Sequence, residues 1–383
     1  MADARSILVT QLKSYKLCQD CLNRHGSRQR PAAPCHICRG LMLEKESIVR
    51  KIRSASKGYQ FETFLIGAVL PTQIYEREDA MRARLKIMGR ESIKSQLTRE
   101  VGLRFAKTMR KRVDYFNPDL MISIVIDKEN NIDVSAKSRP VTFRGAYKKR
   151  AGGLPQKQQR CGSCEGKGCA DCALTGLSGY ESIEGTIARA LVNRTRGRTP
   201  RFSWLGSEDR NSLVLGKGRP FYVRVYDPHR RKFQKIAIRE KAISAMLYPV
   251  QDSAIHHDGI RVKTRIVVRC EGPVENKVLA KTKTLAGAQV RFEGRSRIAT
   301  KSIYSAVPRR VNDRSFSLTI VADGGLMIKQ FVGGEEFMKP NISEIIGQKC
   351  ECITFDILDV AVTGTIHPRQ RISAVAEVGS KAG

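Results

Sequence analysis

Residues 206–221 read GSEDRNSLVLGKGRPF and residues 324–346 read GGLMIKQFVGGEEFMKPNISEII, and these two distant runs decide the reading of the fold. Taken alone, each permits an ordinary interpretation. Glu208–Asp209 suits a solvated turn, and Lys329 suits a charge at a strand edge. Around them the chain is strand-rich: FYVRVY, KIAI, RIVVRC, SFSLTIVA and CITFDILDVAVTG are enriched in β-branched residues or alternate in polarity. Just upstream, residues 144–160 (RGAYKKRAGGLPQKQQR) hold six basic and no acidic side chains, with adjacent glycines and a proline. They read as a charged linker, either merely solvated or facing phosphate.

Eight of the 11 cysteines fall into four CxxC pairs. Cys18, Cys21, Cys35 and Cys38 have the spacing C-x2-C-x13-C-x2-C, in which two tight knuckles give four thiolates to one tetrahedral ion, a structural-zinc pattern. Cys161, Cys164, Cys169 and Cys172 (CGSCEGKGCADC) repeat the arrangement with glycines that permit a sharp reversal. Zinc is expected there too. Four thiolates alone do not select the metal, so an iron–sulfur cluster and a metal-free knuckle remain alternatives. Cys270, Cys350 and Cys352 lie in strand-like runs and are expected simply to pack.

In the N-terminal third, a basic polar stretch runs to Ser56, and the strand-like YQFETFLIGAVLP opens a domain. Ile93, Leu97, Val101, Phe105 and Met109 recur at every fourth position and predict one amphipathic helix, with Lys94, Arg99, Arg104, Lys107, Arg110, Lys111 and Arg112 on its other faces. LMISIVID, an Asn130–Asn131 turn and a short strand around Ile132 to Val134 predict a β-hairpin. After the second cysteine set IEGTIARAL predicts a short helix. Arg194, Arg196, Arg198 and Arg201 then interleave with Phe202 and Trp204, a combination suited to phosphates and unstacked bases.

The chain has 383 residues, enough for two or three domains, and 69 Lys plus Arg against 37 Asp plus Glu, a formal net charge of +32. So large an excess on a composition that is 41% hydrophobic points to built basic surfaces and a polyanionic partner, nucleic acid before membrane. No apolar run approaches the ~18–20 residues of a spanning helix, and the N-terminus lacks a signal-peptide pattern, so a cytoplasmic location is expected.

GRPF after an Asp-containing turn, the IK-x-F and KPNI segment, and the PQ ahead of CxxC-x-G-x-GC-x-x-C-x-x-TG (161–176) follow one another in order. FLIG, the N-terminal knuckles and RGAYKK extend the agreement. In these features the chain resembles the Pus-ten family of tRNA pseudouridine synthases over nearly its whole length. The resemblance implies an α+β protein: an N-terminal zinc-bearing, THUMP-containing RNA-binding domain, then a catalytic domain of the pseudouridine-synthase fold with a curved mixed sheet. The expected division is a zinc-knuckle region at 1–55, a THUMP-like domain at 56–150 and a catalytic domain at 151–383. The implied substrate is tRNA, at uridines 54 and/or 55 of the TΨC loop, with no consumed cofactor. The chain is expected to be a monomer.

Such isomerisation breaks the N1–C1′ bond, turns the uracil and rejoins it through C5, which calls for a positioned carboxylate and a pocket that retains the base. By resemblance Asp209 is the nucleophile and Lys329 its fixed cation. Arg219, with Arg144, Lys148 and Lys149, is expected on displaced phosphates. Ser207 stands where the family has Arg and Asn211 where it has a second Asp. Leu285 and Met327 occupy the places of tyrosines that would meet the base, and the GRT before KPNI is absent. These departures leave a second reading, a catalytically weak or inactive tRNA-binding relative that remodels RNA. Tyr304 is a candidate substitute for a lost tyrosine.

Overall fold

The computed structural model describes residues 14–251, 259–293, 298–334 and 337–362. Glu335 and Glu336 of the EEFMKP run, and the Thr363–Gly364 end of the last strand-like run, lie outside them.

The N-terminal half contains α1 (Gln19–His25), α2 (Lys45–Ala55), β1 (Thr63–Val69), α3 (Thr72–Arg84), α4 (Ile93–Met109), β2 (Arg112–Val113), β3 (Leu120–Ile126) and β4 (Ile132–Ser138). Its sheet has the order β2-β1-β3-β4, with β1 parallel to both neighbours and β3–β4 an antiparallel hairpin. The expected helix forms because its apolar stripe has something to cover: Ile93, Leu97, Val101 and Phe105 are buried against the sheet, Phe105 edge-on to Phe64 of β1. Ser92 caps the helix by accepting from the Ser95 N–H. In β3, Leu120, Ile122, Ile124 and Ile126 point inward and the residues between them outward, as the alternation predicts.

The structure divides this half differently from the expected boundary at residue 55. The stretch read as a polar lead-in is α2, with Ile48, Val49 and Ile52 buried. It and the first cysteine knuckle share one continuous core with the sheet. Arg24 welds them together: its guanidinium meets Glu78 at 2.8 Å and Gln96 at 2.6 Å, and Glu78 also accepts from the Ile93 N–H. All three side chains are buried, so charge pairing replaces the lost hydration.

The C-terminal half comprises β5 (Val141–Lys149), α5 (Ile183–Thr195), β6 (Arg198–Trp204), β7 (Val214–Tyr226), β8 (Ile236–Glu240), β9 (Ile243–Val250), β10 (Ile260–Cys270), α6 (Asn276–Lys281), β11 (Gln289–Glu293), β12 (Ile298–Asn312), β13 (Ser315–Asp323), α7 (Ile328–Gly333), α8 (Ile342–Ile346) and β14 (Cys350–Val362). Ten strands make one mixed sheet in the order β11-β12-β13-β10-β14-β7-β5-β9-β8, with β6 also on β7. The boundary expected at residue 150 therefore falls too late. RGAYKK is a strand in the middle of this sheet, paired with β7 and β9, and the chain changes sheets between Ser138 and Val141. The basic side chains disguised it, because alternate positions of β5 carry Phe143, Gly145 and Tyr147 into the core.

Two glycines of GKGRPF have a steric reason. Gly216 and Gly218 take φ of +54° and +87°, and a Cβ on them would stand 2.1 Å from the Leu358 carbonyl oxygen and 2.6 Å from that of Tyr147. Their absence of a side chain lets β7 touch β14 in parallel at Val214–Ile357 and still pair with β5. Phe202 and Trp204 stack at 4.9 Å and pack against Phe221, so their faces serve the core instead of a base. Cys270 and Cys350 oppose each other across β10–β14 and, with Cys352, are buried as expected.

The halves meet through the turn after β7. Asp227 accepts from the Ser138 N–H at 2.8 Å and the Tyr59 hydroxyl at 3.1 Å, while Tyr59 stacks on His229 at 4.0 Å.

Candidate active site and metal centres

Asp209 lies in the loop between β6 and β7, and Lys329 in the first turn of α7; Lys329 Nζ stands 2.6 Å from Asp209 Oδ2. The other carboxylate oxygen accepts from the Asn211 N–H at 3.0 Å. The Lys329 hydrogen bond, then the Asn211 N–H, hold the Asp209 carboxyl below the usual carboxylate range, and Asp209 in turn raises Lys329. The side chains are 27% and 62% exposed, so the ionised pair faces solvent at the mouth of a cavity of about 670 Å³. Ile260, Val262, Ile320, Phe355 and Ile357 give that cavity an apolar floor, and Thr264 and Gln330 add polar groups. Its size and lining suit one flat heterocycle with its sugar.

The loop is fixed from below. The Leu213 N–H donates to Asp356 at 3.0 Å, and the Ile357 N–H donates back to the Leu213 carbonyl at 2.9 Å. Glu208, next to Asp209, also borders the cavity, but its side chain is fully buried. Its carboxylate meets the Tyr147 hydroxyl at 2.8 Å, Lys149 at 3.1 Å and Arg219 at 3.4 Å.

The structure brings together some of the expected site residues and separates others. Asp209, Lys329 and half-buried Met327 share the cavity. Arg219 borders it, but its guanidinium is buried and turned onto Glu208 and the Leu205 carbonyl, so it does not present a free fork to phosphate. Lys149 is fully buried and cannot reach a phosphate either. Arg144 and Lys148, on the other face of β5, are half-buried. Leu285 is 1% exposed inside the core and absent from the cavity wall, so the expected contact with a base is not made there. Tyr304, 43% exposed, donates at 2.9 Å to Asp323, which does line the cavity, and Arg261 covers its ring at 4.0 Å. Sequence reading missed Gln156, which is buried and donates to the Tyr147 hydroxyl and the Gly206 carbonyl. Its signal was the PQ ahead of the second cysteine set.

Each cysteine set gathers its four sulfurs within 4.8 Å of one another. In the second set the Cys161–Cys169, Cys164–Cys172 and Cys169–Cys172 sulfurs are 3.9, 3.9 and 3.8 Å apart. Four Zn–S bonds of about 2.3 Å make a tetrahedron with edges of about 3.8 Å. Those separations suit one shared ion rather than thiolates spread over several irons. N–H groups of Gly168, Cys169 and Gly176 point at sulfur, each at 3.2 Å, and stabilise thiolate charge. The first set is embedded in the N-terminal core. Both donor sets therefore fit a structural zinc.

A groove of about 1100 Å³ runs between the halves, faced by Arg50, Arg53, Lys57, Lys111, Arg230 and Lys232, with Glu62 as the carboxylate among its lining residues. No helix among the described residues is long and apolar enough to cross a membrane.

Fold and site together define a two-lobed, cysteine-knuckle protein whose larger lobe carries a carboxylate–lysine pair over a nucleotide-sized cavity. Comparison with known proteins narrows the class. The family model for the Pus10 C-terminal region matches residues 143–361, and that for the archaeal Pus10 THUMP domain matches residues 48–127. The tRNA pseudouridine synthase Pus10 of Nitrosopumilus maritimus (strain SCM1) is 30% identical over 370 residues, 92% of this chain and 96% of the relative. Its namesake from Cenarchaeum symbiosum (strain A) is 32% identical, covering 94% and 93%, and that of Methanosphaera stadtmanae (strain ATCC 43021 / DSM 3091 / JCM 11832 / MCB-3) is 28% identical, covering 92% and 97%. This chain belongs to the Pus10 family. Its first half is accordingly a THUMP domain with an appended cysteine knuckle, and its second half the family's catalytic domain.

Proposed function

We propose that this protein isomerises uridine to pseudouridine in tRNA, at positions 54 and/or 55 of the TΨC loop, with Asp209 as nucleophile. The observation that carries the reading is the 2.6 Å Asp209–Lys329 pair at the mouth of a cavity sized for a flipped nucleotide. The relatives' shared name supplies the substrate class. Asp209 attacks C1′ as the N1–C1′ bond breaks, the apolar floor retains the freed uracil anion while it turns, and C5 then displaces Asp209 from C1′ and loses its proton while N1 takes one up. Lys329 keeps the carboxylate ionised as water leaves the cleft. Zinc in each cysteine set holds structure and takes no part in the chemistry. The inter-lobe groove carries RNA phosphates, which position without specifying sequence.

A second reading, a weak or inactive tRNA-binding relative, is favoured by one observation: no tyrosine stands among the cavity's described lining residues. Incubation of the protein with an unmodified tRNA transcript, followed by carbodiimide-based mapping, separates the two. Pseudouridine at 54 or 55 establishes the synthase, and its absence under conditions of full binding establishes the inactive relative.

A further inference from the structure

The loop from Leu205 to Leu213 has no helix or strand of its own, so its backbone has to be held by side chains. One buried side chain holds two of its carbonyls at once. Lys149 Nζ, on β5, donates to the carbonyls of Asp209 and Arg210 at 3.2 Å each and to that of Leu154 at 3.1 Å, and it meets the Glu208 carboxylate at 3.1 Å. Lys149 and Glu208 side chains are both 0% exposed. Arg219 adds a second cation on Glu208 and donates to the Leu205 carbonyl, and Gln156 donates to the Gly206 carbonyl. Leu205, Gly206, Asp209 and Arg210 are thus gripped by their carbonyls at four points of the loop.

Burying a lysine and an arginine against one carboxylate is costly, and apolar residues would fill the space more cheaply. Apolar side chains, however, cannot grip carbonyl oxygens. The cluster's geometry is what a nucleophile needs if its carboxylate must be delivered to one spot while a base turns beside it. We propose that Lys149, balanced by Glu208 and Arg219, is a positioning residue that sets the backbone of Asp209 and so the direction of its carboxylate. This rests on the reading of Asp209 as nucleophile. It also reassigns Lys149 and Arg219, whose charge the sequence suggested was meant for RNA, to the interior of the catalytic loop.

The test compares three full-length proteins. Asp209→Asn examines the underlying reading. Lys149→Met combined with Glu208→Gln removes the cation and the carboxylate it meets together, leaving Arg219 on the Leu205 carbonyl without its acidic partner. Gln156→Leu cuts a neutral strut of the same cluster and serves if the double variant does not fold. Each is measured for single-turnover pseudouridine formation at saturating enzyme, for tRNA affinity, and for the pH dependence of the rate.

Inactive Asp209→Asn with unchanged affinity upholds the nucleophile. On that background, a rate loss of about 10²-fold in the double variant, as a misplacement of about 1 Å produces, supports positioning. Affinity should be retained, and the acid limb should move upward because the displaced carboxylate loses Lys329. Gln156→Leu should show a smaller loss of the same kind. Folded variants that keep the wild-type rate, or that lose rate and affinity together with an unmoved acid limb, overturn the positioning role while leaving Asp209 in place. An active Asp209→Asn overturns both.

Discussion

Lys329 Nζ stands 2.6 Å from Asp209 Oδ2, and the two belong to the two sequence runs that mark the family, one before β7 and one after β13. Strands β14 and β10 hold those runs at the same end of the sheet, so the pair exists only in the folded protein.

The pair makes a pH prediction. Asp209 is lowered by Lys329, so its contribution to stability is present above the unfolded value of about 3.9 and is lost as pH falls through the lower folded value. Lys329 is raised, so its share is present below about 10.4 and is lost as pH rises through its folded value. Lys329 is too exposed for a large effect on stability. The rate is the better reporter. Lys329→Met should lift the acid limb of single-turnover activity toward about 3.9 or above, whereas wild type should hold its rate further into acid.

Leu285→Tyr should not restore a stacking face. Leu285 fills the core beneath the turn at Thr282–Leu285, so the larger ring overpacks it, at a cost of about 1–3 kcal/mol. A lower melting temperature with no gain in turnover is expected. A faster enzyme would mean that this segment opens to the base when tRNA binds.

Metal removal should affect the halves unequally. The first cysteine set is part of the N-terminal core, so chelation or Cys38→Ser should unfold that half cooperatively. The second set is more exposed, with Cys164 and Cys169 half-buried, and should lose only local structure around its knuckle. Metal analysis with circular dichroism during chelation checks this, and zinc-free, fully folded protein would refute it.

Much of this was legible in the sequence because periodicity reports burial. The α4 stripe, the β3–β4 hairpin and the cysteine knuckles each repeat a spacing that one structure satisfies. β5 was not legible, because pattern reading took Lys148 and Lys149 as solvent-facing charges, whereas Lys149 is buried by a partner 59 residues away that no local window contains. For the same reason Arg219 read as a phosphate ligand; Leu285 was placed at the base by the family resemblance, which carries no information on its 1% exposure here. Asp209 and Lys329 were found through flanking motifs whose steric logic, the close approaches of Gly216 and Gly218, appears only with β14 and β5 in place.

Arg50, Arg53 and Arg230 are exposed on the inter-lobe groove, and their replacement by glutamate should weaken different tRNAs alike. Each lost phosphate contact should reduce the slope of log affinity against log salt by about 0.7–0.9. Filter binding across a salt series reads it. Unchanged affinity and slope would place the RNA on another face.

The most direct test of the central claim is pseudouridine mapping on an unmodified tRNA transcript treated with wild type and with Asp209→Asn, both shown to bind it. The account predicts pseudouridine at 54 or 55 with wild type and none with the variant, at equal affinity. Modification by both proteins would contradict the assignment of Asp209, and modification by neither would contradict the enzyme itself.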